Sequence, residues 1–346
     1  MSYRKIGVCT LTVALLAATC MYAINVLSEQ LPPMGPPTRI LFIAGGASEN
    51  WLRTVEGARA AAKELDVELH VQTPTADDRP DEQMAMVREI DKAEYDGVAF
   101  CPTDMTAQLE LINELAERTK LITVGKDERK TNGLCHVGFC QECTGRVVAI
   151  LARGQLKPTG KVVVLSTVSS DVEHNARIRE RLDGFKDEWG LVSQSNTPAI
   201  VSASVELNDG AQMTQELLTI LSDPEVVGIV AFDAPAAELA LAMFAQQSRT
   251  EHVQFIAFDP TVAVLDAIDD GRVDIAIHED AYRDGYEAVK QLTRYCRSGP
   301  MELPGAGQGN IRLCGEAVHK TNLADFRRRT QSRAVRTIAA VATQRR

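Results

Sequence analysis

The chain reads as an α/β protein made of two doubly wound parallel-sheet lobes, and three observations predict it. From Arg39 onward, short runs of Val, Ile, Leu and Phe alternate with stretches of helical period as far as Phe326. Most of these runs are continuously apolar, as strands covered on both faces must be. The alternation restarts after a Gly/Pro break in "ARGQLKPTGKVVVL" at 152–165. Roughly ten strands crowd a single open sheet, so two similar lobes fit better.

Arg4 and Lys5 precede Ile6 to Leu27, a stretch without charge that is just long enough to span a bilayer and longer than the usual core of a cleaved signal. Residues 1–27 are a signal or a membrane anchor, and both readings stay open. Positive flanks remain in the cytoplasm, so everything after residue 28 is expected outside it. "SEQLPPMGPPT" at 28–38 holds four prolines, which exclude helix and give an extended linker. Strands are expected at 39–44, 67–72, 97–101, 120–125, 134–139, 161–166, 226–232, 253–258 and 273–278. Helices fill the gaps. Over 175–189, Ile178, Leu182, Phe185 and Trp189 form one stripe at helical period, which assigns Trp189 to the core. At 327–346 seven arginines with no acid mark a basic tail, expected as an extension beyond the lobes.

The net charge of −10 lacks the basic footprint that a phosphate backbone requires, so no nucleic-acid partner is expected. "RILFIAGGASENW" at 39–51 raises the question of a phosphate cradle, yet only Gly45 and Gly46 are present, and neither G-x-G-x-x-G nor the P-loop pattern appears. No Ser nucleophile elbow, H-E-x-x-H or carboxylate pair in a clear acid/base context is found, so no enzyme activity, cofactor or metal is expected. Cys135, Cys140 and Cys143 have a C-x4-C-x2-C spacing that also occurs in plant-type iron–sulfur proteins, but the surrounding residues read as a buried strand entering a helix. Outside the cytoplasm cysteines more often pair. Cys296 with Cys314 is a candidate bridge, and connectivity among these, Cys101, Cys135, Cys140 and Cys143 stays open. His136 and His278 read as packed or hydrogen-bonded strand residues.

Seven segments in order resemble the periplasmic sugar-binding proteins of type I, the ribose-binding and LacI-like class, over about residues 38–325. They are the loop with Ser48, Asn50 and Trp51 before "EGA" at 56–58, "VAFCPTDMTAQ" at 98–108, "LITVGKDE" at 121–128 with "HVGFCQECTGR" at 136–146, "RIRERLDGF" at 177–185, "GIVAFDAPAAELAL" at 228–241, "FIAFDP" at 255–260 and "IAIHEDAYRDGYEAV" at 275–289. The resemblance implies two lobes, 38–139 with 280–312 and 140–279 with 313–326, joined by a hinge of three crossings. It implies a cleft where Trp51 stacks on a ligand beside Ser48 and Asn50, Arg179 donates to oxygens, Asp233 and Asp259 accept hydroxyl hydrogens, and Glu279 stands where the family often has Gln. Those residue types suit a sugar: planar charged groups engage vicinal hydroxyls in pairs, and an indole covers the C–H face.

Departures from the family pattern touch specificity. Gly125 replaces an Asp, followed by Lys126, and Cys140–Gln141 replaces Asp–Asn, so Lys126 and Gln141 join the candidate set. A sugar acid, a polyol or another small polar molecule remains open as ligand. The implied function is capture by hinge closure and delivery to an ABC transporter permease, with binding and no turnover. The alternative is a ligand-sensing receptor read by a signalling partner.

Overall fold

The computed structural model describes residues 36–90, 94–125, 131–156, 159–170, 172–191, 198–206, 212–244, 253–298 and 309–330. The apolar segment 6–27, most of the 28–38 linker and the tail beyond 330 lie outside the described residues. Among the described residues no helix is long and apolar enough to cross a membrane.

Strand β1 (Thr38–Ile43) shows why the apolar runs form covered strands. Ile40 and Phe42 enter one buried cluster and Leu41 and Ile43 another, so alternate residues bury opposite faces of the same strand. In chain order follow α1 (Glu49–Glu64), β2 (Val67–Gln72), α2 (Pro80–Arg88), β3 (Gly97–Phe100), α3 (Met105–Arg118), β4 (Lys120–Val124) and β5 (Cys135–Phe139). Next are α4 (Gln141–Gln155), β6 (Lys161–Val168), α5 (Val172–Leu191), β7 (Ala199–Glu206), α6 (Gln212–Leu221), β8 (Val226–Ala231), α7 (Ala234–Phe244), β9 (Gln254–Phe258), α8 (Val262–Asp270) and β10 (Ile275–His278). Then come α9 (Ala281–Ser298), β11 (Gly309–Leu313) and β12 (Glu316–His319).

These strands form two six-stranded sheets, ordered β11-β5-β4-β3-β1-β2 and β12-β10-β9-β8-β6-β7. Every pairing is parallel except β10 with β12. The chain therefore passes between lobes after β5, after β10 and after β11. All nine expected strands form, within a residue or two at their ends. Three strands have no counterpart in the apolar runs: β7, β11 and β12. All three are edge strands, paired along one side only, and their sequences are short or part polar, whereas β2, the fourth edge strand, keeps a strict apolar/polar alternation in VELHVQ. The expected core role of Trp189 holds: it is buried, stacks on Phe185 and donates its indole N–H to the Pro198 carbonyl at 3.2 Å. At the start of the basic tail, Arg327, Arg328 and Arg329 lie in a helical run, 323–330, and pair with Asp266, Asp325 and Glu316.

Each lobe seats one helix pair on glycine. In lobe 1, a Cβ at Gly57 of α1 would overlap the Tyr282 carbonyl, and one at Gly285 of α9 would overlap that of Thr54. In lobe 2, Gly145 of α4 meets the Arg181 carbonyl and Gly184 of α5 meets that of Glu142 in the same way. Helix backbones come this close only where no side chain stands between them. Gly285→Ala is therefore expected to cost about 1–3 kcal/mol through overpacking. Gly154→Ala, near the end of α4 with nothing within 4 Å, is expected to stabilise by about 0.5–1 kcal/mol through helix propensity. Urea unfolding of the two variants beside the parent checks both signs.

Candidate functional site

The Gly45–Gly46 pair that follows β1 makes room for side chains. A Cβ on Gly45 would overlap the Trp51 ring, and one on Gly46 would overlap the Asp77 carboxylate. Asp77 Oδ1 in turn accepts the backbone N–H groups of Ala47 and Ser48 at 2.8 and 2.9 Å, which fixes the loop entering α1. The loop's own N–H groups are thus taken by a carboxylate from the same chain, which is the opposite of a phosphate cradle. Gly125, at φ +122°, leaves the far edge of the indole clear, with Trp51 3.8 Å from the position a Cβ would take. Behind this wall Gln83 is wholly buried and donates to the carbonyls of Ala44 and Cys101 at 2.8 and 2.7 Å, tying together the ends of β1 and β3.

Trp51 faces a cavity of about 280 Å³ at the junction of the lobes. From lobe 1 it is lined by Ser48, Asn50, Trp51, Asp77, Gly125 and Phe139, with Ala281 and Asp284 at the start of α9. Gln141, Arg177, Asp259 and Glu279 close it from the crossings and lobe 2. Four carboxylates and one guanidinium line it.

Arg181 holds the lobe 2 side in place from behind. It is buried at 1% exposure. Its Nε donates to Gln141 Oε1 at 2.6 Å, Nη1 to the Phe232 carbonyl at 2.7 Å and to Asp259 Oδ2 at 3.4 Å, and Nη2 to Glu279 Oε2 at 3.1 Å. The guanidinium also lies 4.5 Å above the Phe258 ring. Burial alone would lower its pKa, but the charges of Asp259 and Glu279 and their hydrogen bonds outweigh that, and the group is held above its ordinary value. It is a permanent cation. Gln141 closes the circuit by donating to Glu279 Oε2 at 3.2 Å. With Oε2 doubly occupied, Glu279 Oε1 is buried and has no hydrogen-bond partner among the described residues, and the same is true of Arg177 Nε. Glu279 Oε1 is an acceptor and Arg177 Nε a donor that a guest in the cavity can satisfy.

Asp259 stands at the carboxyl end of β9 in the left-handed region, φ 53°, where Asp is among the few non-glycine residues tolerated. Its N–H donates to the Ile277 carbonyl at 3.0 Å, so the backbone is pinned while the carboxylate is still two-fifths exposed.

The structure brings Ser48, Asn50, Trp51, Gln141, Asp259 and Glu279 to one cavity. Two other candidates lie elsewhere. Arg179 is exposed and does not line the cavity, because two residues along a helix is more than half a turn from Arg177 and Arg181. Asp233 is buried behind the wall, where its carboxylate accepts the N–H groups of Thr167 and Ala236, both at 2.8 Å, and caps α7. Lys126 lies outside the described residues. Arg177, Arg181, Asp77 and Asp284 were missed. For Arg181 a signal existed: three residues after Ile178 and four before Phe185, it falls on the apolar stripe of α5. The candidate bridge Cys296–Cys314 does not form, and among the described residues the one disulfide joins Cys140 to Cys143. His136 is buried in hydrogen bonds with Thr123 Oγ1 and the Gly125 carbonyl, each at 3.1 Å. Among the described residues no cluster of His, Cys, Asp or Glu could hold a metal ion.

Two sheets, three crossings and a polar cavity at their junction define a two-lobed solute-binding protein. Residues 40–300, more than half the chain, match the periplasmic binding protein domain, and the chain belongs to that family. The family is made up of extracytoplasmic binding proteins. No curated protein matches the sequence significantly. Among solved structures, the arabinose-binding protein AraP from Geobacillus stearothermophilus is 20% identical with a TM-score of 0.63, over 84% of this chain and 99% of that one. A sugar-binding protein of a sugar ABC transporter from Bacillus halodurans is 18% identical with a TM-score of 0.65 over 84% and 99%. A mutant XylFII–LytSN complex contains a chain 18% identical with a TM-score of 0.65 over 84% and 100%. At such identities the likeness is one of fold.

The end of β10 carries a titratable group. His278, the last residue of β10, is half-buried with its ring edge-on to Phe326 at 5.1 Å, and among the described residues Nε2 has no hydrogen-bond partner. Burial lowers its pKa, Arg53 adds to the fall, and Asp280, Asp259 and Glu316 oppose it without cancelling it. A histidine depressed in the fold takes up its proton more readily when unfolded. Stability is thus fully present above the ordinary histidine pKa near 6.5 and is lost as pH falls through the window below it, by up to about 1.4 kcal/mol per pH unit. Melting curves of the parent between pH 7 and 5 are expected to show this loss, and His278→Gln to flatten it.

Proposed function

We propose that this protein captures a neutral sugar or similar polyol between its lobes, outside the cytoplasm, and delivers it unaltered to an ABC transporter permease. The observation that carries the reading is the pairing of Trp51 on one wall with Glu279 Oε1 and Arg177 Nε on the other, two buried polar atoms with no partner among the described residues. A hydroxyl donates and accepts at once, so a ring of hydroxyls satisfies both atoms while its C–H face covers the indole. Each buried group left unmet costs roughly 1–3 kcal/mol, which is how such a site rejects an apolar guest. Among the described residues four lining carboxylates face one lining guanidinium, which favours a neutral guest over a sugar acid. The sugar-binding proteins among the structural neighbours support the same ligand class. Residues 6–27 carry the chain out of the cytoplasm, and if retained they tether the lobes through the 28–38 linker.

A second reading, that the closed form is read by a signalling partner, is favoured by one observation, the XylFII–LytSN complex among the neighbours. Both readings share the same binding step. Hinge closure would bring both walls onto the guest, and binding would shift the population toward the closed form.

A thermal-shift screen of the full-length chain tests the common step. Neutral pentoses, hexoses and polyols are expected to include at least one strong stabiliser, and sugar acids none. Ligand at a hundred times its Kd stabilises by about 2.7 kcal/mol. Trp51→Ala and Asp259→Asn are each expected to weaken the hit at least about tenfold, a loss of about 1.4 kcal/mol. A hit unaffected by both, or one recovered chemically changed, overturns the reading.

A further inference from the structure

The Cys140–Cys143 disulfide encloses Gln141, and both its position and its surroundings set it apart from the free cysteines. Cys140 occupies the first crossing, after β5, and is the N-cap of α4. Its N–H donates to the Leu313 carbonyl at the third crossing, 3.1 Å away. From the first turn of α9, just past the second crossing, Arg283 donates to the Cys314 carbonyl at 2.8 Å and lies 5.9 Å from the Phe139 ring. The disulfide thus sits where all three crossings are tied together. Between its sulfurs in sequence, Gln141 lines the cavity, accepts from Arg181 and donates to Glu279. Cys140 is buried at 6% exposure, whereas Cys143 is half-buried and is the sulfur an outside thiolate can reach.

We propose that Cys140–Cys143 is a redox site, a disulfide reduced reversibly by an external dithiol, whose state sets the seating of Gln141 and through it the Arg181–Glu279 network. In the first step a thiolate of the dithiol bonds to Cys143 Sγ, the Cys140–Cys143 bond breaks and its electron pair leaves on Cys140 Sγ. That sulfur already accepts the Cys143 N–H at 3.1 Å. A thiolate there gains from the helix N-terminus, which makes Cys140 a good leaving group. The second thiol of the reductant then displaces Cys143. The reductant departs as its own disulfide, and two electrons and two protons have passed to the protein. With the ring open, Gln141 is no longer held inside a closed loop at the crossing. The site does not depend on which solute enters the cavity.

Dithiothreitol is the probe, applied to the full-length chain purified without reductant. Alkylation under denaturing conditions followed by peptide mass analysis is expected to label Cys135 alone within residues 131–146 before reduction, and Cys135, Cys140 and Cys143 after it. Reoxidation should restore the first pattern. Amide hydrogen exchange over 141–146 is expected to quicken by about tenfold or more on reduction, and over 178–184 by less, with the central strands unchanged. Cys140→Ser/Cys143→Ser should exchange like the reduced parent whether or not dithiothreitol is present. Gln141→Leu should keep the effect at 141–146 and lose the redox response at 178–184. Labelling of Cys140 and Cys143 before reduction, a bridge from either to Cys314, or exchange that reduction leaves unchanged would each overturn the proposal. None of these readouts requires a bound sugar, so their failure is distinct from failure of the binding screen.

Discussion

The buried guanidinium of Arg181 is the constraint on which the cleft depends. A cation taken out of water is tolerated only if its donors are met, and here the Phe232 carbonyl, Asp259, Glu279 and Gln141 meet them from four separate segments. Those segments are the ends of β8 and β9, the second crossing and the start of α4. Removing one partner would leave charge unpaired at low dielectric, which typically costs about 3–5 kcal/mol. The arrangement of acids around the cavity is therefore set from behind. Glu279 and Asp259 turn toward the cavity in a fixed geometry because Arg181 already holds one oxygen of each.

A second constraint places any bending of the molecule in very few residues. The first crossing runs straight into α4 and the second into α9, and each of these helices is packed on glycine against the helix that follows its lobe's first strand, α5 and α1 respectively. Backbones locked at that distance move as units. The connections between them are Cys140, Glu279–Asp280 and Cys314–Gly315, each one or two residues long. Such short connections suit hinge motion between rigid bodies better than sliding within them.

How far this could be read from the chain differs by level. The parallel core was legible because a strand buried on both faces must be apolar at every position, as "RILFI" and "FIAF" are. Of the four edge strands only β2 was, through its alternation VELHVQ; β7, β11 and β12 are short or part polar and lose the signal. Of the site, the loop with Trp51 and the strand-tip Asp259 stood out because their positions follow from local sequence. Asp233 looked the same by that criterion, yet it turns inward to cap α7. The choice among Arg177, Arg179 and Arg181 depends on helix phase, and the motif alone does not supply it. Cys140–Cys143 required knowing that the helix begins at Gln141, which brings residues three apart onto one turn.

The unpartnered atoms bear on how binding could drive closure. A guest shifts a conformational balance only by what it gains in one state over the other, and a swing from 1:99 to 99:1 takes about 5.5 kcal/mol. Relief of Glu279 Oε1 and Arg177 Nε at roughly 1–3 kcal/mol each supplies part of that. Both atoms belong to the crossing and lobe 2 side, so a guest seated on them alone favours neither state. On that reading the remainder would come from contacts made across the gap, where lobe 1 presents the indole of Trp51. On the proposed reading, the labour would divide: Glu279, fixed by Arg181, and Arg177 would select the guest, and the ring on the opposite wall would convert selection into closure.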